Sequence, residues 1–259
     1  MLTKRMKNTE LSYFLDKYLR ERPVFLALIR GKEAWLYQKY LPLKKPVADL
    51  GCGDGFFVKT ALGRAEIGID LPDSRIKEVI PGIYQQLITY NGRRMPLPAN
   101  TAGTVITNSV LEHVEDLDRV LREIYRILKP GEIVIAPVMA KPWEDYLFGA
   151  KIFGQAYKRW MRKKQQHINL LSRDEWRQKF EKAGFKLISE IGHINPQMCT
   201  WVDFLHYVSL PYLIIYKLTG QWTLWKINPW PTSWFKKLIE KNVDPKIAGG
   251  IFYVWQKPT

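Results

Sequence analysis

The stretch VADLGCGDGFF, residues 47–57, places three glycines two residues apart behind a short apolar run. The glycines are Gly51, Gly53 and Gly55, and Cys52 lies between the first two. A glycine-rich turn after a strand allows the backbone to approach a bound ligand closely. The first chemical question that this sequence raises is therefore which ligand the turn binds.

The residues around the turn argue against a ligand that carries phosphates. A triphosphate loop has the pattern G-x-x-x-x-G-K-[ST], and this loop contains no Lys-Ser or Lys-Thr pair. A dinucleotide loop has the pattern G-x-G-x-x-G, and Phe56 stands where its third glycine would be. Asp49 would also place a negative charge where a pyrophosphate lies. A ligand with a positive centre fits better.

A further acidic residue ends the next apolar run, EIGID. This residue, Asp70, follows the turn at the distance at which a carboxylate can accept hydrogen bonds from both hydroxyls of a ribose. S-adenosylmethionine combines a ribose with a sulfonium and an ammonium and has no phosphate. Asp49 and Asp54 would suit its cationic end or organise the loop around it, so the residues point to S-adenosylmethionine as the ligand.

The elements that must position these residues alternate between short apolar strands and helices. The predicted strands are VADLGC, EIGIDL, GTVITNS and EIVIAPV. An amphipathic helix, LDRVLREIYRILKPG, is predicted to stop at Pro130 and Gly131. A later helix is predicted to begin at Ser172, with Glu175 at the spacing of a capping box. This alternation predicts an α/β fold with a parallel sheet covered by helices on both faces.

The flanking segments predict three regions. Residues 1–45 show helical spacing with a break at Pro23, and KLISEIGHI and GGIFYVWQK are predicted as late strands. About fifty residues between those two strands are rich in Trp, Tyr and Pro and are predicted as an insertion. The predicted domains are N-terminal helices covering the cofactor site (1–45), a core (46–195 and 248–259) with an inserted basic helix (145–164), and an aromatic-rich cap (196–247).

The composition of the chain limits the kinds of partner that the protein can have. The chain has 259 residues with 40 Lys and Arg against 25 Asp and Glu, a net charge of +15. Such a basic balance indicates an anionic partner, whether nucleic acid, an anionic membrane surface or an acidic substrate. Cys52 and Cys199 have no companions at metal-ligand spacing, so we predict neither a disulfide framework nor a metal site.

The sequence also suggests where the protein resides. The first residues are basic but lack the apolar segment of a secretory signal. The most apolar stretch, residues 201–218, contains Asp203, Pro211 and Lys217, which interrupt it as a transmembrane helix. We therefore expect a cytoplasmic protein that can rest peripherally on the inner face of a membrane.

Together, these motifs resemble a known family. The segments VADLGCGDGFF, GIDL, RRMPLP, NSVLEHVEDLDRVLREIYRILKPGE and SRDEWRQKFEKAGF are similar to the class I S-adenosylmethionine-dependent methyltransferases, close to the type 11 methyltransferase domain. The resemblance implies a Rossmann-like, seven-stranded and mostly parallel sheet whose last strand is antiparallel. It also implies S-adenosyl-L-methionine as cofactor.

The resemblance assigns cofactor-binding positions residue by residue. Matching the family pattern are Asp49, Gly51, Cys52, Gly53 and Gly55 in the loop, Asp70 and Leu71 at the ribose, Asn91 and Gly92 at the adenine, and Asn108 beside the methionine portion. Family members usually have an Asp at the place of Asn91, so the adenine contact would lack that charge. From the residues themselves, Arg30 on the helix before the loop is a candidate to bind the carboxylate of the cofactor.

Two histidines are candidates for a general base. His113 matches the histidine of the family motif LEHV, and His167 precedes the helix that begins at Ser172. Both are predicted near the rim where the strands end, and an imidazole titrates near neutral pH. Either could remove a proton from a hydroxyl or an ammonium that attacks the methyl group.

The acceptor has to be inferred from the appendages. The signature [DNS]-P-P-[YFW] of base-directed amine methylation is absent, because Asn108 is followed by Ser-Val-Leu, and neither cysteine suits cysteine-dependent ring methylation. The basic helix 145–164 predicts an interfacial or lid face, composed of Ala150, Phe153, Tyr157, Trp160 and Met161. The tryptophans of the insertion suit a bilayer interface or an apolar pocket, and they are Trp201, Trp222, Trp225, Trp230 and Trp234.

The sequence therefore predicts a methyltransferase for a small acceptor that is lipid-like, isoprenoid or a glycoconjugate, modified at oxygen or carbon. Two alternatives stay open. The charge favours an RNA methyltransferase, although nucleic acid is the less expected partner. A protein that binds the cofactor without turnover would retain the same loop.

Overall fold

A computed structural model of the chain describes residues 10–91, 93–224 and 227–259. The chain divides into two compact units. The unit that we call the helical unit contains the residues up to Leu41, Pro142–Met161 and Gly192–Gly249. The sheet unit contains Pro42–Lys141, Arg162–Ile191 and Gly250–Thr259. The domain boundaries drawn from the sequence stay a prediction, as does the position of the N-terminal helices over the cofactor.

Within the described residues, seven strands form one sheet in the order β3-β2-β1-β4-β5-β7-β6. The strands are β1 (Val47–Leu50), β2 (Ala65–Asp70), β3 (Tyr84–Thr89), β4 (Ala102–Thr107), β5 (Leu128–Met139), β6 (Lys186–Ile194) and β7 (Gly250–Gln256). Strands β1 to β5 pair in parallel, whereas β7 runs antiparallel to β5. This arrangement confirms the predicted fold class.

The helices of the sheet unit follow the predicted signals. They are α3 (Phe56–Ala61), α4 (Leu117–Ile127) and α6 (Arg173–Lys182), with short 3-10 turns at Arg75–Glu78 and Leu111–His113. Asp116 caps α4 by accepting a hydrogen bond from the backbone of Arg119. The capping box of Ser172 and Glu175 at α6 is present as predicted. These caps fix where the helices begin beside the strand ends.

Two local predictions need correction. Strand β3 was not recognised from the sequence, and most of its residues are exposed, as is usual for an edge strand. Helix α4 ends at Ile127, and Pro130 and Gly131 lie inside β5 rather than at the end of the helix. A proline disfavours helical geometry in the residue before it, and the N–H of Gly131 donates to the carbonyl of Lys257, so this segment pairs with the chain after β7 instead of continuing the helix.

The helical unit begins with two packed helices, α1 (Leu11–Glu21) and α2 (Val24–Tyr37), which Pro23 separates as predicted. A Cβ at Gly31 of α2 would lie 3.1 Å from the Cα of Leu15, so the two backbones approach closely. The aromatic-rich segment forms α7 (Pro196–Val208), α8 (Leu210–Thr219) and α9 (Thr232–Ile239). The described part of the predicted insertion is therefore mainly helical, and its one pairing with the sheet is an isolated bridge between Val243 and Gly192 of β6.

The basic helix, α5 (Phe148–Lys164), differs from its prediction. Gly154 has φ 58° and ψ −137°, which breaks the helix into two parts. Tyr157 is buried, whereas Phe153 is 66% exposed and Trp160 is 47% exposed. The single apolar face predicted over 145–164 is thus wrong, because the break changes the direction in which the second half presents its side chains.

Candidate active site

The glycine turn is built tightly onto the ends of the central strands. The backbone N–H groups of Gly51 and Cys52 both donate to the carbonyl of Ile69, at 2.7 and 3.2 Å. Gly51 has φ +79°, and a Cβ at this position would lie 2.2 Å from Cγ2 of Val110. A side chain is therefore excluded both by conformation and by space.

Asp70 is fixed at the end of β2 above this turn. Its Oδ2 accepts a hydrogen bond from the backbone of Gly53 at 2.7 Å, and its Oδ1 accepts one from the backbone of Leu71 at 2.7 Å. Each carboxylate oxygen can accept a second bond, so the group can also bind the two hydroxyls of a ribose. A Cβ at Gly53 would meet no atom within 4 Å, which leaves that side of the turn open for a ligand.

Asp49 is held by a residue that the sequence did not single out. Asp49 is 3% exposed, and its Oδ2 accepts a hydrogen bond of 2.6 Å from the hydroxyl of Tyr84 on β3. Burial, with the charge of Asp49 beside it, raises the pKa of Tyr84, so this hydroxyl stays a donor. To find Tyr84 from the sequence, β3 would have had to be predicted first. The signal available for that strand was its own sequence, YQQLIT.

The charges around the turn favour a cationic ligand. Burial raises the pKa of the Cys52 thiol, and the charges of Asp49, Asp70 and Asp54 raise it further. The thiol is therefore protonated at neutral pH and is not a nucleophile. Asp54 is paired with Arg75 at 2.8 Å, whereas the other two carboxylates keep the turn negative. A sulfonium or an ammonium fits here better than a phosphate.

The end of β4 supplies further polar groups. Thr107 is fully buried, and its hydroxyl has no hydrogen-bond partner within the described part of the chain. Asn108 follows it and is also buried, and Ser109 has φ 49° with its N–H on the carbonyl of Pro137. An unsatisfied buried hydroxyl next to an open glycine turn is the environment that a polar ligand completes. The residues present therefore fit S-adenosylmethionine.

The residues predicted at the adenine are less well defined. Asn91 is exposed, and its Oδ1 accepts a hydrogen bond of 3.2 Å from the backbone of Arg93. Gly92 lies outside the described residues. Leu71, the residue after Asp70, is 49% exposed and can offer an apolar surface. The contacts of Asn91, Gly92 and Leu71 with the cofactor stay predictions.

Tyr90 is a neighbour that the sequence analysis missed. It is buried, its N–H donates to the carbonyl of Asp70, and its hydroxyl lacks a hydrogen-bond partner among the described residues. Burial, with the charge of Glu123, raises its pKa to about 12. Its position directly after β3 makes it a candidate ligand-binding residue on the same rim as Asp70.

Arg30 lies in the helical unit, where it has an acidic partner. Its guanidinium donates to Glu33 at 2.8 Å, and Glu33 is fully buried. Burial alone would raise the pKa of Glu33, but the charge of Arg30 and a hydrogen bond from His193 hold it below its usual value. The contact of Arg30 with the cofactor stays a prediction.

The structure brings the two candidate bases together. The rings of His113 and His167 lie 5.1 Å apart, centroid to centroid. Nδ1 of His113 is 3.1 Å from the carbonyl of Gln166, which can only accept, so Nδ1 carries the proton and the basic lone pair is on Nε2. Burial lowers the pKa of His167 to about 3, with smaller contributions from His113 and Arg162. His167 is therefore neutral and a weak base at physiological pH.

Comparison with known proteins agrees with this chemistry. A family model described as a methyltransferase domain matches residues 18–190. The demethylmenaquinone methyltransferase of Symbiobacterium thermophilum is 29% identical over 126 residues, 43% of this chain and 49% of that protein. The ubiquinone biosynthesis O-methyltransferase of Brucella ovis is 27% identical over 194 residues, 69% of this chain and 77% of that protein. The chain thus spans about half the length of the first relative.

Solved structures share the fold. A phosphoethanolamine N-methyltransferase 2 from Haemonchus contortus, in complex with S-adenosyl-L-methionine, superimposes with a TM-score of 0.58 at 14% identity. The superposition covers 98% of this chain and 59% of that one. A likeness at this level of identity shows the fold alone.

These findings settle the reaction class. S-adenosylmethionine supplies an electrophilic methyl group on its sulfonium when it is bound. The glycine turn would admit this cofactor closely, the carboxylates match its positive charge, and Asp70 would bind its ribose. The match over two thirds of the chain confirms the class, although not the narrower type 11 branch. The chain belongs to the class I S-adenosylmethionine-dependent methyltransferases.

Proposed function

We propose that this methyltransferase modifies a small, lipid-like acceptor at oxygen or carbon. The observation that carries the proposal is the similarity, over 194 residues, to a protein named as a ubiquinone biosynthesis O-methyltransferase. A second relative is named for demethylmenaquinone. Both names denote apolar quinone chemistry, and a hydroxylated aromatic ring with an apolar tail is the acceptor class that we infer.

The segment after β4 supports this choice over a nucleic-acid base. In place of two prolines the chain has Ser109 and Val110. The side chain of Val110 lies against Gly51, so it serves to close the glycine turn. The loop that base-directed amine methyltransferases use to hold their target is thus replaced by a packing contact.

We assign the general base to His113. Its Nε2 carries the basic lone pair, whereas the low pKa of His167 makes that ring a poor proton acceptor. Removing the proton of a phenolic hydroxyl raises the electron density at the oxygen and at the neighbouring ring carbons. The same step therefore serves methylation at oxygen or at carbon.

The proposal is tested by transfer of label from methyl-labelled S-adenosylmethionine. The purified protein is incubated with a lipid extract, with demethylmenaquinone, with a hydroxylated prenylphenol or with total RNA. We expect label in the organic phase, lost in Asp70→Ala and retained in Asp73→Ala, an exposed aspartate of the same segment. Label in RNA alone would establish the RNA alternative. Cofactor binding without label in any fraction would establish binding without turnover.

A further inference from the structure

Exposed apolar side chains are concentrated in the helical unit. Within the part of the sheet unit that the structure describes, four large apolar side chains are exposed, namely Leu71, Leu87, Ile168 and Ile188. The described residues of the helical unit expose four times as many. Contiguous apolar surface of this kind marks a site of interaction with another molecule or with a membrane.

Helix α8 is the most exposed part of this surface. None of its residues, Leu210–Thr219, is buried, although most are apolar. Leu210, Ile214 and Leu218 follow one another at four-residue intervals and are 47%, 60% and 80% exposed. Residues at this spacing form one stripe along a helix, and Leu213 lies beside it. We call these four residues the α8 stripe.

The opposite side of α8 is attached to the protein. The hydroxyl of Tyr212 accepts a hydrogen bond of 3.1 Å from the indole of Trp230, and Tyr216 stacks on Trp222 with ring centroids 4.2 Å apart. Asn228, near Trp230, donates to Asp16 of α1 at 2.9 Å. The helix is therefore held by its tyrosine side, and this leaves the α8 stripe on the outside.

Helix α7, which precedes α8, is attached to α5. The carboxylate of Asp203 is buried and accepts hydrogen bonds from the hydroxyl of Tyr157 at 2.6 Å and from the backbone of Gly149 at 2.9 Å. The rings of Phe148 and Phe204, both exposed, meet edge to face. These contacts join α7 to the start of α5, and Ser209 alone separates α7 from α8 along the chain.

This surface is basic as well as apolar. The described residues of 204–239 contain no Asp or Glu but three lysines, and residues 146–161 contain no acid but two lysines and an arginine. An open cavity of about 440 Å³ lies beside α7, lined in part by Lys151, Lys237, Trp201 and Trp234. Trp201 and Trp234 meet edge to face with centroids 4.9 Å apart. Tryptophans flanked by lysines suit the headgroup region of an anionic bilayer.

No single described helix has the length and apolarity needed to cross a membrane, whereas α7 and α8, bent by 50° at their junction, meet those criteria as a pair. Asp203 and its partners pack α7 into the protein. The pair of α7 and α8 is therefore better suited to lying on a bilayer than to crossing it. We propose that the helical unit docks on an anionic lipid bilayer, with the α8 stripe inserted among the acyl chains and with Lys151 and Lys237 at the lipid phosphates.

Flotation of the 259-residue chain with vesicles tests this surface. Equimolar phosphatidylcholine and phosphatidylglycerol vesicles are expected to carry the wild type, and pure phosphatidylcholine vesicles far less of it. Ile214→Ser with Leu218→Ser should lower binding at least about tenfold. The matched pair Leu87→Ser with Ile188→Ser, exposed on the sheet unit, should bind like wild type. Equal binding of the two double variants would overturn the proposal.

A second pair of variants tests the role of the lysines in docking. Lys151→Gln with Lys237→Gln should weaken binding to the anionic vesicles more than Lys77→Gln with Lys186→Gln, which makes the same change of charge on the sheet unit. Identical losses for the two pairs would mean that only net charge matters and would contradict a defined docking surface.

A fluorescent label reports the insertion itself. Both native cysteines are buried, so a polarity-sensitive probe can be attached selectively at Leu218→Cys or, as a control, at Leu87→Cys. Anionic vesicles should shift only the emission of the probe at position 218. If the stripe variants instead convert a dimer into a monomer and leave flotation unchanged, the surface is an interface between two copies and the membrane proposal is wrong.

Discussion

The sheet unit and the helical unit differ in what they present to solvent. The sheet unit covers most of its apolar side chains and has carboxylates near the ends of β1 and β2, namely Asp49 and Asp70. The helical unit leaves the α8 stripe uncovered, and its segments around α8 contain lysines but no acidic residue between 204 and 239. From this difference we propose that methyl transfer takes place on the sheet unit and that the helical unit provides the contact with a membrane.

The largest effect is expected in the glycine turn. Gly51→Ala should lower the affinity for S-adenosylmethionine by about 100-fold or more, since its Cβ would clash with Val110 at a positive φ. Calorimetric titration measures this. Gly63→Ala is the matched control, because Gly63 has φ +86° and open space around it. Equal affinities of the two variants for S-adenosylmethionine would show that the turn is not part of the cofactor site.

A buried ion pair is the most sensitive point of the helical unit. Arg30→Ala should destabilise the protein by about 2–4 kcal/mol, because the carboxylate of Glu33 would stay buried without its guanidinium partner. Thermal unfolding measures the loss, and adding Glu33→Gln should restore much of it. A variant that keeps its stability but loses cofactor affinity would instead place Arg30 on the carboxylate of the cofactor.

Substitutions of the two histidines should lower the turnover rate to different extents. His113→Gln should lower the rate with a hydroxylated acceptor by about 100-fold, since the base would be lost. His167→Gln should change the rate far less, because the pKa of His167 is already about 3. Initial rates across pH measure both. A larger loss in His167→Gln would exchange the two roles.

A smaller effect is expected from a buried lysine of α2. Burial lowers the pKa of Lys32 from 10.5 to about 7, with a contribution from Lys39. Between these values the unfolded chain holds a proton that the folded chain has released. Stability should therefore rise with pH through that window, by at most ~1.4 kcal/mol per pH unit for this residue.

Lys32→Met removes this dependence, and chemical denaturation at several pH values measures it. Lys44→Met, a change at an exposed lysine that does not contribute to the pKa of Lys32, is the control. Some slope should remain, because burial also lowers the pKa of Lys257. An unchanged slope in Lys32→Met would show that Lys32 keeps its proton in the folded protein.

The sequence predicted the sheet unit better than the helical unit, for physical reasons. The glycine turn, Asp70 and the capping box of Ser172 are local signals, so residue type and spacing suffice to predict them. The pairing of His113 with His167 follows from the meeting of strand ends at one rim. Tyr84 was missed because its role depends on a hydrogen bond to a residue 35 positions away.

The helical unit depends on tertiary packing that periodicity does not reveal. Helix α5 looks amphipathic over its whole length, but Gly154 breaks it. Residues 201–218 look like one apolar stretch, whereas a bend separates α7, with five buried residues, from α8, with none. A pattern of apolar residues cannot tell which of them another element will cover.

The most direct test of the account is the affinity of S-adenosylmethionine for wild type, Asp70→Ala and Asp73→Ala, measured by calorimetry. Wild type and Asp73→Ala are expected to bind alike, because Asp73 is exposed outside the turn. Asp70→Ala should bind more weakly by about 1–3 kcal/mol, since the ribose hydroxyls lose their charged acceptor. Unchanged binding in Asp70→Ala would contradict the assignment of the cofactor to this rim of the sheet.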